Sequence, residues 1–580
     1  MKRKYLLYSL IAGAFTLTGC NDAFLERSSQ DLNDETFWTT PNDLKTYATA
    51  FYGILPDGVA NISDQNSDDM VPRNVSQFIW DQYSVPAEDG EWSKSDWQNI
   101  RNINYFMTHY QTVEGSEAEI NRYVGEMRFF RALEYFSKIK TFGDVPWLEE
   151  DLNVDDTDIL YGPKMPRNQV AQKIIEDLDF AIQWLPDGRV TSTGDDANRI
   201  TKDVARHVKA RVCLHEGTYY KYHSELGYDY TDLLTKAAEE ANTLMSSGRY
   251  SIYKNGDPAH DYYNMFVMED KSNLSEAILY IDYAEPLRRH NMGHGAYEAL
   301  AGFSKDFVDG YLYADGLPKA LTSYPTADET MAEELANRDP RASQTIRNDK
   351  FFEGNESYTV IVTKDTLGAD DAYITQFIPT GYQTIKGYDP ATAHRGNTLE
   401  VHDGIAYRYA ETLLIYAEAK AELGSITQDD LDRSINQLRD RVGMPHLTTS
   451  VNFTDPNWPD YGYTLSPLLQ EIRRERRVEL AGEGFRFADI CRWKAGQILN
   501  NVMTYVGKKI SVKASQAKDG LRANNGCVII YGNYTNADLS YQAGKSRTWD
   551  DKMYLYPIPT GELQRNPQLL PQNPGWDGVD

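Results

Sequence analysis

Adjacent pairs of acidic residues are the first groups in this sequence that could perform chemistry. The pairs are Asp68-Asp69, Glu88-Asp89 and Asp370-Asp371. Two carboxylates held about 5–9.5 Å apart across a sugar-binding cleft can hydrolyse a glycosidic bond. The chain contains 86 acidic residues, however, so most acidic pairs are expected to be solvated surface groups. None of the three pairs follows a recognisable series of strands, and a glycoside hydrolase is therefore the less favoured interpretation.

The histidines offer a second kind of chemistry, metal binding. His290 and His294 are four residues apart, a spacing that places two ligands on one face of a helix. Gly293 disfavours a helix there and the chain has no H-E-x-x-H motif, so we interpret both histidines as loop residues. A G-x-S-x-G elbow, a P-loop and a dinucleotide fingerprint are also absent from the sequence. We therefore predict no catalytic residue, no cofactor and no metal site, and the sequence leaves open whether a structural calcium is bound.

Aromatic rings beside amides and acids give the strongest indication of a ligand. The chain has 40 Tyr, 20 Phe and 10 Trp, and two loop segments, Trp80-Asp-Gln-Tyr83 and Trp92-Ser-Lys-Ser-Asp-Trp97-Gln-Asn99, combine rings with polar groups. Sugars stack their C–H faces on flat rings, and their hydroxyls need hydrogen-bonding partners. Exposed rings in ordered loops would provide such a platform.

We predict ligand contacts in two polar, loop-rich segments, 56–96 and 250–400. The predicted residues are Asn66, Trp80, Tyr83 and Trp92 from the first segment, and Arg289, His294 and Tyr297 from the second. Trp97 is assigned to the scaffold instead, because it opens a predicted helix. The alternative for any single loop tryptophan is a plug that is buried beneath its loop.

The densest cluster of charge lies in residues Glu471–Leu480. Its four arginines alternate with glutamates at the spacing of ion pairs along a helix. We predict a helix that neutralises its own charge and locks neighbouring helices together. An anion-binding site is the less favoured alternative, because each arginine has an acidic residue nearby in the sequence.

Composition excludes several classes of protein. The net charge of −27 argues against a nucleic-acid partner, because phosphate binding needs a basic face. With 41% hydrophobic residues, the 580-residue chain can bury large cores. Its four cysteines are too few and too scattered to indicate a disulfide framework or a zinc site.

The N-terminus has the pattern of an exported lipoprotein. Lys2, Arg3 and Lys4 precede an apolar stretch of secretory length, which ends in Leu17-Thr-Gly-Cys20. Small residues before a cysteine resemble the bacterial lipobox, in which the thiol is acylated. We predict a signal peptide over residues 1–19, lipidation at Cys20, and a tether over the lipidated N-terminus, residues 20–40. No later stretch reaches 18 consecutive apolar residues.

Several long segments show the hydrophobic period of a helix. One stripe comprises Tyr407, Ala410, Leu414, Ala417 and Ala421, which recur at helical spacing. Further helices are predicted over residues 124–142, 168–185, 204–215, 233–245, 430–442 and 465–480. Helices of this size in pairs predict a mainly α fold with a tetratricopeptide-like framework. An irregular helical bundle is the alternative.

A series of short motifs, in a fixed order, resembles the SusD/RagB family of nutrient-binding outer-membrane lipoproteins. The motifs are Phe24-Leu-Glu26, Arg128–Phe136 with Phe142-Gly-Asp-Val-Pro146, Ala205–Leu214, Phe307–Tyr311 with Asp315-Gly316, Asn337-Arg-Asp-Pro-Arg341, Tyr409–Ala419, Glu475–Glu479 with Arg486 and Asp489–Trp493, and Tyr556-Pro-Ile-Pro559 with Gln572-Asn-Pro-Gly575. Single motifs are weak, but eight in order span nearly the whole chain.

The resemblance implies a fold and a function. It implies about four tetratricopeptide-like helix pairs that carry an irregular, loop-rich α/β insertion region with the ligand site. Members bind oligosaccharides or polysaccharides at the cell surface without cleaving them. They are held on the outer membrane by a lipid anchor, face the cell exterior, and act as the lid of a SusC-like TonB-dependent transporter. Some relatives bind peptides or other nutrients, so a peptide ligand stays open.

The resemblance also gives a domain layout. Residues 41–580 are expected to form one SusD-like domain, with a helical scaffold at about 41–55, 97–248 and 405–495. The insertions at about 56–96 and 250–400 are expected to bind the ligand, and residues 496–580 form a C-terminal region. The family motifs are chiefly structural, so the ligand residues above come from composition and position alone.

Overall fold

The computed structural model of the chain describes residues 37–59, 62–72, 76–80, 83–292, 301–348, 351, 380–390, 399–509, 522–524, 526–529 and 547–576. Several predicted features lie outside these residues: the signal peptide, Cys20, the tether up to residue 36, His294, Tyr297 and Asp370-Asp371. No helix within the described ranges combines the length and the apolar character needed to cross a membrane.

Helices dominate the described residues, which confirms the predicted mainly α fold. They are α1 (Pro41–Thr49), α2 (Lys94–His109), α3 (Glu117–Phe142), α4 (Thr157–Leu160), α5 (Arg167–Trp184), α6 (Lys202–Tyr222), α7 (Thr231–Ser246), α8 (Asp261–Val267), α9 (Lys305–Asp309), α10 (Met331–Glu334), α11 (Pro340–Thr345), α12 (Tyr409–Glu422), α13 (Gln428–Asp432), α14 (Ile435–Val442), α15 (Pro467–Glu479), α16 (Arg486–Arg492) and α17 (Thr560–Arg565).

The long helices pack as neighbouring pairs and form the tetratricopeptide-like scaffold. Helix α3 packs against α5, α6 against α7, and α12 against both α7 and α15. Small residues permit the close approach: a Cβ atom at Gly217 of α6 would lie 2.9 Å from the Leu234 side chain of α7. Ala410 and Ala417 of the predicted stripe are fully buried on α12. Their burial places the stripe in the core, as its period predicts.

Two predicted helix boundaries are wrong. Helix α12 begins at Tyr409, not at Tyr407, because residues 404–408 form a strand instead. The helix predicted over 430–442 is broken into α13 and α14 at Ser434. There the Ser434 hydroxyl donates to the Asp430 carbonyl at 2.5 Å, and the backbone of Ser434 is not helical. A serine that bonds to the preceding turn competes with the helical hydrogen bonds.

Short antiparallel strands link the two insertions to each other, link the second insertion to the scaffold, and form a small sheet in the C-terminal region. They are β1 (Met70–Pro72), β2 (Ala277–Ile281), β3 (Ala301–Phe303), β4 (Gly404–Arg408), β5 (Val506–Lys509), β6 (Arg522–Asn524) and β7 (Cys527–Ile529). Strand β1 pairs with β3, β2 with β4, and β7 lies between β5 and β6. Strand β2 confirms the predicted run from Ala277, whereas the run predicted over Tyr358–Val362 lies outside the described residues.

A buried network of charges fastens the second insertion to the scaffold. At its centre, Glu479 of α15 accepts hydrogen bonds from Arg408 at 2.6 Å, Arg441 at 2.6 Å and Arg341 at 3.0 Å. We call it the Glu479 network. Its cations are Arg341, Lys386, Arg408, Arg439 and Arg441, and its acids are Glu276, Asp339, Glu475, Glu479 and Glu483. Within the described chain the network is therefore neutral.

The ion pairs of α15 show that the prediction of a self-neutralised helix over Glu471–Leu480 is wrong. Arg474 does pair with Glu471 at 3.1 Å within α15. Arg473, in contrast, pairs with Glu422, and Arg476 pairs with Asp489. Because most of α15 is buried, its side chains point at neighbouring elements rather than along its own surface. The charges are structural, as predicted, but their partners are distant in sequence.

Candidate functional site

A groove lies where α9 of the second insertion meets α15 of the scaffold. The loop 455–461 and residues 501–503 complete its walls, and its cavity volume is about 500 Å³. A second depression of about 250 Å³ adjoins it and shares Asp306, Pro459, Asp460 and Asn501 with it. We call the two depressions together the groove. Its volume falls within the range of small-molecule sites, about 300–1,000 Å³.

Trp458 is the half-buried ring that lines the groove. An Asx-type turn positions it: the Asp455 carboxylate accepts from the Asn457 amide at 2.9 Å, and the Asp455 carbonyl accepts from the Trp458 amide at 3.1 Å. Arg474 bonds to the Asp455 carboxylate at 2.7 Å, and its guanidinium lies 5.1 Å from the Trp458 ring centroid. Both ends of the turn are therefore held against α15.

Buried ion pairs fix the base of the groove. Arg477 donates to Asp69 at 2.6 Å and to Asp306 at 2.8 Å, while Arg486 makes a bidentate pair with Asp68 at 2.7 and 2.8 Å. Burial alone would raise the pKa of Asp68, but Arg486 and Arg477 outweigh it and lower that pKa to about 2. Asp68 is therefore held as a carboxylate.

The position of Asp68-Asp69 does not fit glycosidase chemistry. Both side chains are buried and fully engaged with guanidinium groups, beneath the groove rather than on either side of it. Of the other predicted pairs, Glu88 and Asp89 are exposed, and Glu88 pairs with Arg565 at 2.8 Å. These contacts indicate structural roles.

The rim of the groove carries hydrogen-bonding groups. Asn457, Asp460 and Asn501 are exposed there, and Lys319 and Asp306 are partly exposed. Amides can donate to and accept from sugar hydroxyls, carboxylates can accept from them, and an indole ring can pack against a sugar face. The groove thus combines the two kinds of contact that an oligosaccharide needs.

A second cavity, of about 480 Å³, lies among the scaffold helices between α3, α6, α12 and α16. Much of its wall consists of charges that are already paired, such as Arg211 with Glu411 at 2.7 Å and Arg476 with Asp489 at 2.8 Å. It lacks the tryptophan and the exposed amides that line the groove. We therefore regard the groove as the candidate ligand site.

Three carboxylates near the groove surround a lysine. Asp309, Asp328 and Glu334 lie close enough together to hold a cation. The Lys305 ammonium group is 2.7 Å from Asp309, 3.1 Å from Asp328 and 2.7 Å from Glu334. Burial lowers the pKa of Lys305, but the carboxylates outweigh it and raise that pKa above its ordinary value. The resident cation of this cluster is thus the lysine itself.

The two tryptophans predicted from the first segment are buried. Trp80 is 4% exposed, and its ring packs against Tyr505 at 5.4 Å between ring centroids. Trp92 is 8% exposed and packs edge-on against Phe142 at 4.7 Å. In this structure protein covers both rings. Both tryptophans are therefore plugs buried beneath their loops, the alternative given above for a loop tryptophan. A ligand contact by either stays a prediction.

The other predicted residues do not meet at one place. Tyr83 is half-buried and packs against Phe78 and Tyr556, Asn66 is exposed in a turn, and Arg289 is exposed and paired with Glu285. Trp80 and Trp92 belong to different hydrophobic clusters. The described members of the predicted set thus do not form a single site.

Sequence reasoning missed Trp458, Asp460 and Asn501. The segment Pro456-Asn-Trp-Pro-Asp-Tyr-Gly-Tyr463 has the same mixture of rings and polar groups that singled out Trp80 and Trp92. It was overlooked because it lies between two scaffold helices, α14 and α15. The same compositional test, applied to every loop, adds this segment to the candidates but does not distinguish it from the segments around Trp80 and Trp92.

Comparison with known proteins places the chain in a family. A family model described as "SusD family" matches residues 240–576, more than half of the 580 residues. The chain belongs to the SusD family. The match includes α9, the loop 455–461, α15 and residues 501–503, so the whole groove lies within the SusD region.

Full-length SusD-like relatives support the assignment. SusD-like protein P2 of Formosa agariphila is 24% identical over 99% of this chain and 100% of its own length. A SusD-like carbohydrate-binding protein from Bacteroides fragilis superposes with a TM-score of 0.68 at 21% identity, covering 92% of this chain and 100% of that one. Surface glycan-binding protein A from Bacteroides fluxus gives a TM-score of 0.57 at 18% identity, covering 93% and 100%. At this identity the two structures establish the fold.

Proposed function

We propose that this chain is a cell-surface lipoprotein that binds an oligosaccharide or polysaccharide in the groove and delivers it to a SusC-like TonB-dependent transporter. In this role it captures the glycan without cleaving it, is anchored to the outer membrane through Cys20, faces the cell exterior and acts as the transporter's lid. Membership of the SusD family supports the general role, as do two solved relatives described as carbohydrate- or glycan-binding.

The groove is the observation that carries the proposal. Trp458 offers a ring for stacking, and Asn457, Asp460 and Asn501 offer partners for hydroxyl groups. The groove is open at its rim, so part of a bound glycan stays solvated. Affinity in such a site is expected in the micromolar to millimolar range, because much of the contact energy offsets the cost of ordering a flexible ligand.

Replacement of Trp458 by Ala tests the glycan site. We expect the purified protein to bind at least one polysaccharide or oligosaccharide in a panel, and Trp458→Ala to weaken that binding about tenfold to a hundredfold, because a stacked ring contributes roughly 1–3 kcal/mol. Isothermal titration with the panel measures this change. Trp184→Ala, at the end of α5 and outside the groove, is the control.

The panel also includes peptides. Binding of peptides alone would replace the glycan by the alternative ligand class. Binding of a glycan with unchanged affinity in a folded Trp458→Ala variant would place the site elsewhere. Release of soluble sugars from a polysaccharide by the purified protein would contradict the non-enzymatic role.

The transporter partnership has its own test. We expect a SusC-like transporter to copurify with this chain from detergent-solubilised outer membranes when both are expressed together. A Cys20→Ala variant should be lost from the membrane fraction when the transporter is absent, because it lacks the predicted acyl anchor. Purification of the two proteins in separate fractions would contradict the lid role.

A further inference from the structure

The cations that line the groove are all engaged by protein carboxylates. The pairs are Arg473 with Glu422 at 2.9 Å, Arg474 with Asp455 at 2.7 Å, Arg477 with Asp69 at 2.6 Å, Arg486 with Asp68 at 2.7 Å, and Lys319 with Asp328 at 2.7 Å. An acidic ligand group could bind one of these cations only by displacing its carboxylate. Breaking such a pair leaves a buried charge without a partner, which is strongly unfavourable.

One acidic side chain of the groove differs from the rest. Asp306, Asp309 and Asp455 each pair with a lining cation, at 2.8, 2.9 and 2.7 Å. Asp460 is exposed, and within the part of the chain that the structure describes its carboxylate accepts a hydrogen bond from the Gly462 amide alone, at 2.8 Å. Among the described residues no cation lies within ion-pairing distance of it. At Asp460 the groove therefore presents a negative charge that no described cation pairs with.

Asp460 also occupies a central position. It is one of the four residues that line both depressions of the groove, together with Asp306, Pro459 and Asn501. A glycan that spans the two depressions would cross the boundary that these four residues line. A sugar hydroxyl can donate to the Asp460 carboxylate, whereas a carboxylate or sulfate on the sugar would be repelled by it.

We infer that the groove takes uncharged oligosaccharides and discriminates against glycans that bear carboxylate or sulfate groups, with Asp460 as the residue that sets this preference. The inference rests on the proposed glycan-binding function. It concerns the local charge of the groove, which is distinct from the net charge of the whole chain. A matched pair of variants separates the effect of the charge at Asp460 from the effect of the net charge of the chain.

The test uses oligosaccharides of glucose, galactose and mannose, each beside a form whose primary hydroxyls are oxidised to carboxylates. For the purified protein we expect at least one neutral member to bind and its oxidised form to bind about tenfold more weakly or not at all. The gap is the ratio of the dissociation constants of the oxidised and the neutral form. Asp460→Asn should reduce this gap about fivefold, because the new amide keeps an oxygen for the Gly462 amide but carries no charge. Asp155→Asn, an exposed carboxylate outside the groove, changes the net charge equally and should leave the gap unchanged.

Each outcome separates this inference from the proposed function. Equal or tighter binding of carboxylated or sulfated glycans would overturn the charge preference and leave the glycan-binding proposal standing. An unchanged gap in Asp460→Asn, or an equal effect of Asp155→Asn, would overturn the role of Asp460. Absence of binding to every glycan would overturn both the inference and the function on which it rests.

Discussion

Replacing Glu479 with Gln is expected to lower the free energy of unfolding by about 3–5 kcal/mol, because the change removes the acid shared by three buried arginines and leaves the Glu479 network with one positive charge in excess. Glu479 is fully buried and accepts hydrogen bonds from Arg341, Arg408 and Arg441. The amide keeps the shape of the carboxylate but removes its charge and one acceptor. Urea-induced unfolding, followed by fluorescence, measures the change.

Glu88→Gln is the matched control, because Glu88 is exposed and pairs with the exposed Arg565 at 2.8 Å. Removing an exposed ion pair typically changes stability by about 0–1 kcal/mol. If Glu479→Gln cost no more than this control, the Glu479 network would not be what holds the second insertion to the scaffold.

The same variant has an expected dependence on pH. Burial raises the pKa of Glu479, but Arg441, Arg408 and Arg341 outweigh it and hold that pKa below its ordinary value. A carboxyl group whose pKa is lower in the folded state stabilises the fold above its unfolded-state pKa of about 4.3, and this stabilisation is lost as the pH falls. The difference between the wild type and Glu479→Gln should thus be largest near neutral pH and shrink below about pH 4.

Replacing Trp80 with Ala is expected to lower the free energy of unfolding by about 3–5 kcal/mol, because it opens a cavity in a packed cluster. Trp80 contacts Tyr505, and residues 502–505 follow directly on Asn501 of the groove. Thermal unfolding measures the loss of stability, and titration well below the melting temperature measures glycan affinity.

Trp458→Ala is the counterpart of the Trp80 variant. Trp458 is half-buried at the groove, so its removal should weaken glycan binding strongly but leave the melting temperature nearly unchanged. The opposite pattern, in which Trp80→Ala melts like the wild type but no longer binds glycans, would restore Trp80 as the ligand platform that the sequence predicts.

The contrast between Trp80 and Trp458 shows why the site could not be derived from composition. Both tryptophans lie in loops beside Asp, Asn or Gln, and nothing local distinguishes them. Trp80 is covered because residues 502–505, more than 400 positions away in the chain, fold over it. Which face of a loop ring is covered depends on such distant contacts, whereas ring and amide content is a local property.

The helices could be predicted because their signal is local. Ala410, Leu414 and Ala417 of the predicted stripe repeat at helical spacing on α12, and the structure buries all three. The predicted boundaries failed where a competing contact intervened: the pairing of β4 with β2 delays the start of α12, and the Ser434 hydroxyl interrupts the helix before α14. The partners of Glu479 could not be predicted, because other arginines of α15 lie closer to it in the sequence than its actual partners Arg341, Arg408 and Arg441.

The Glu479 network also has a consequence for the order in which the chain acquires its structure. A chain that is exported by a signal peptide, as proposed above, crosses the membrane N-terminus first, so Glu276, Arg341 and Arg408 emerge long before Glu475, Glu479 and Glu483. Until the last of these arrives, Arg341 and Arg408 lack most of the acids that neutralise them in the finished protein. An N-terminal fragment that ends before α15 would therefore keep these side chains in water, and the second insertion can settle only after nearly the whole chain has been made.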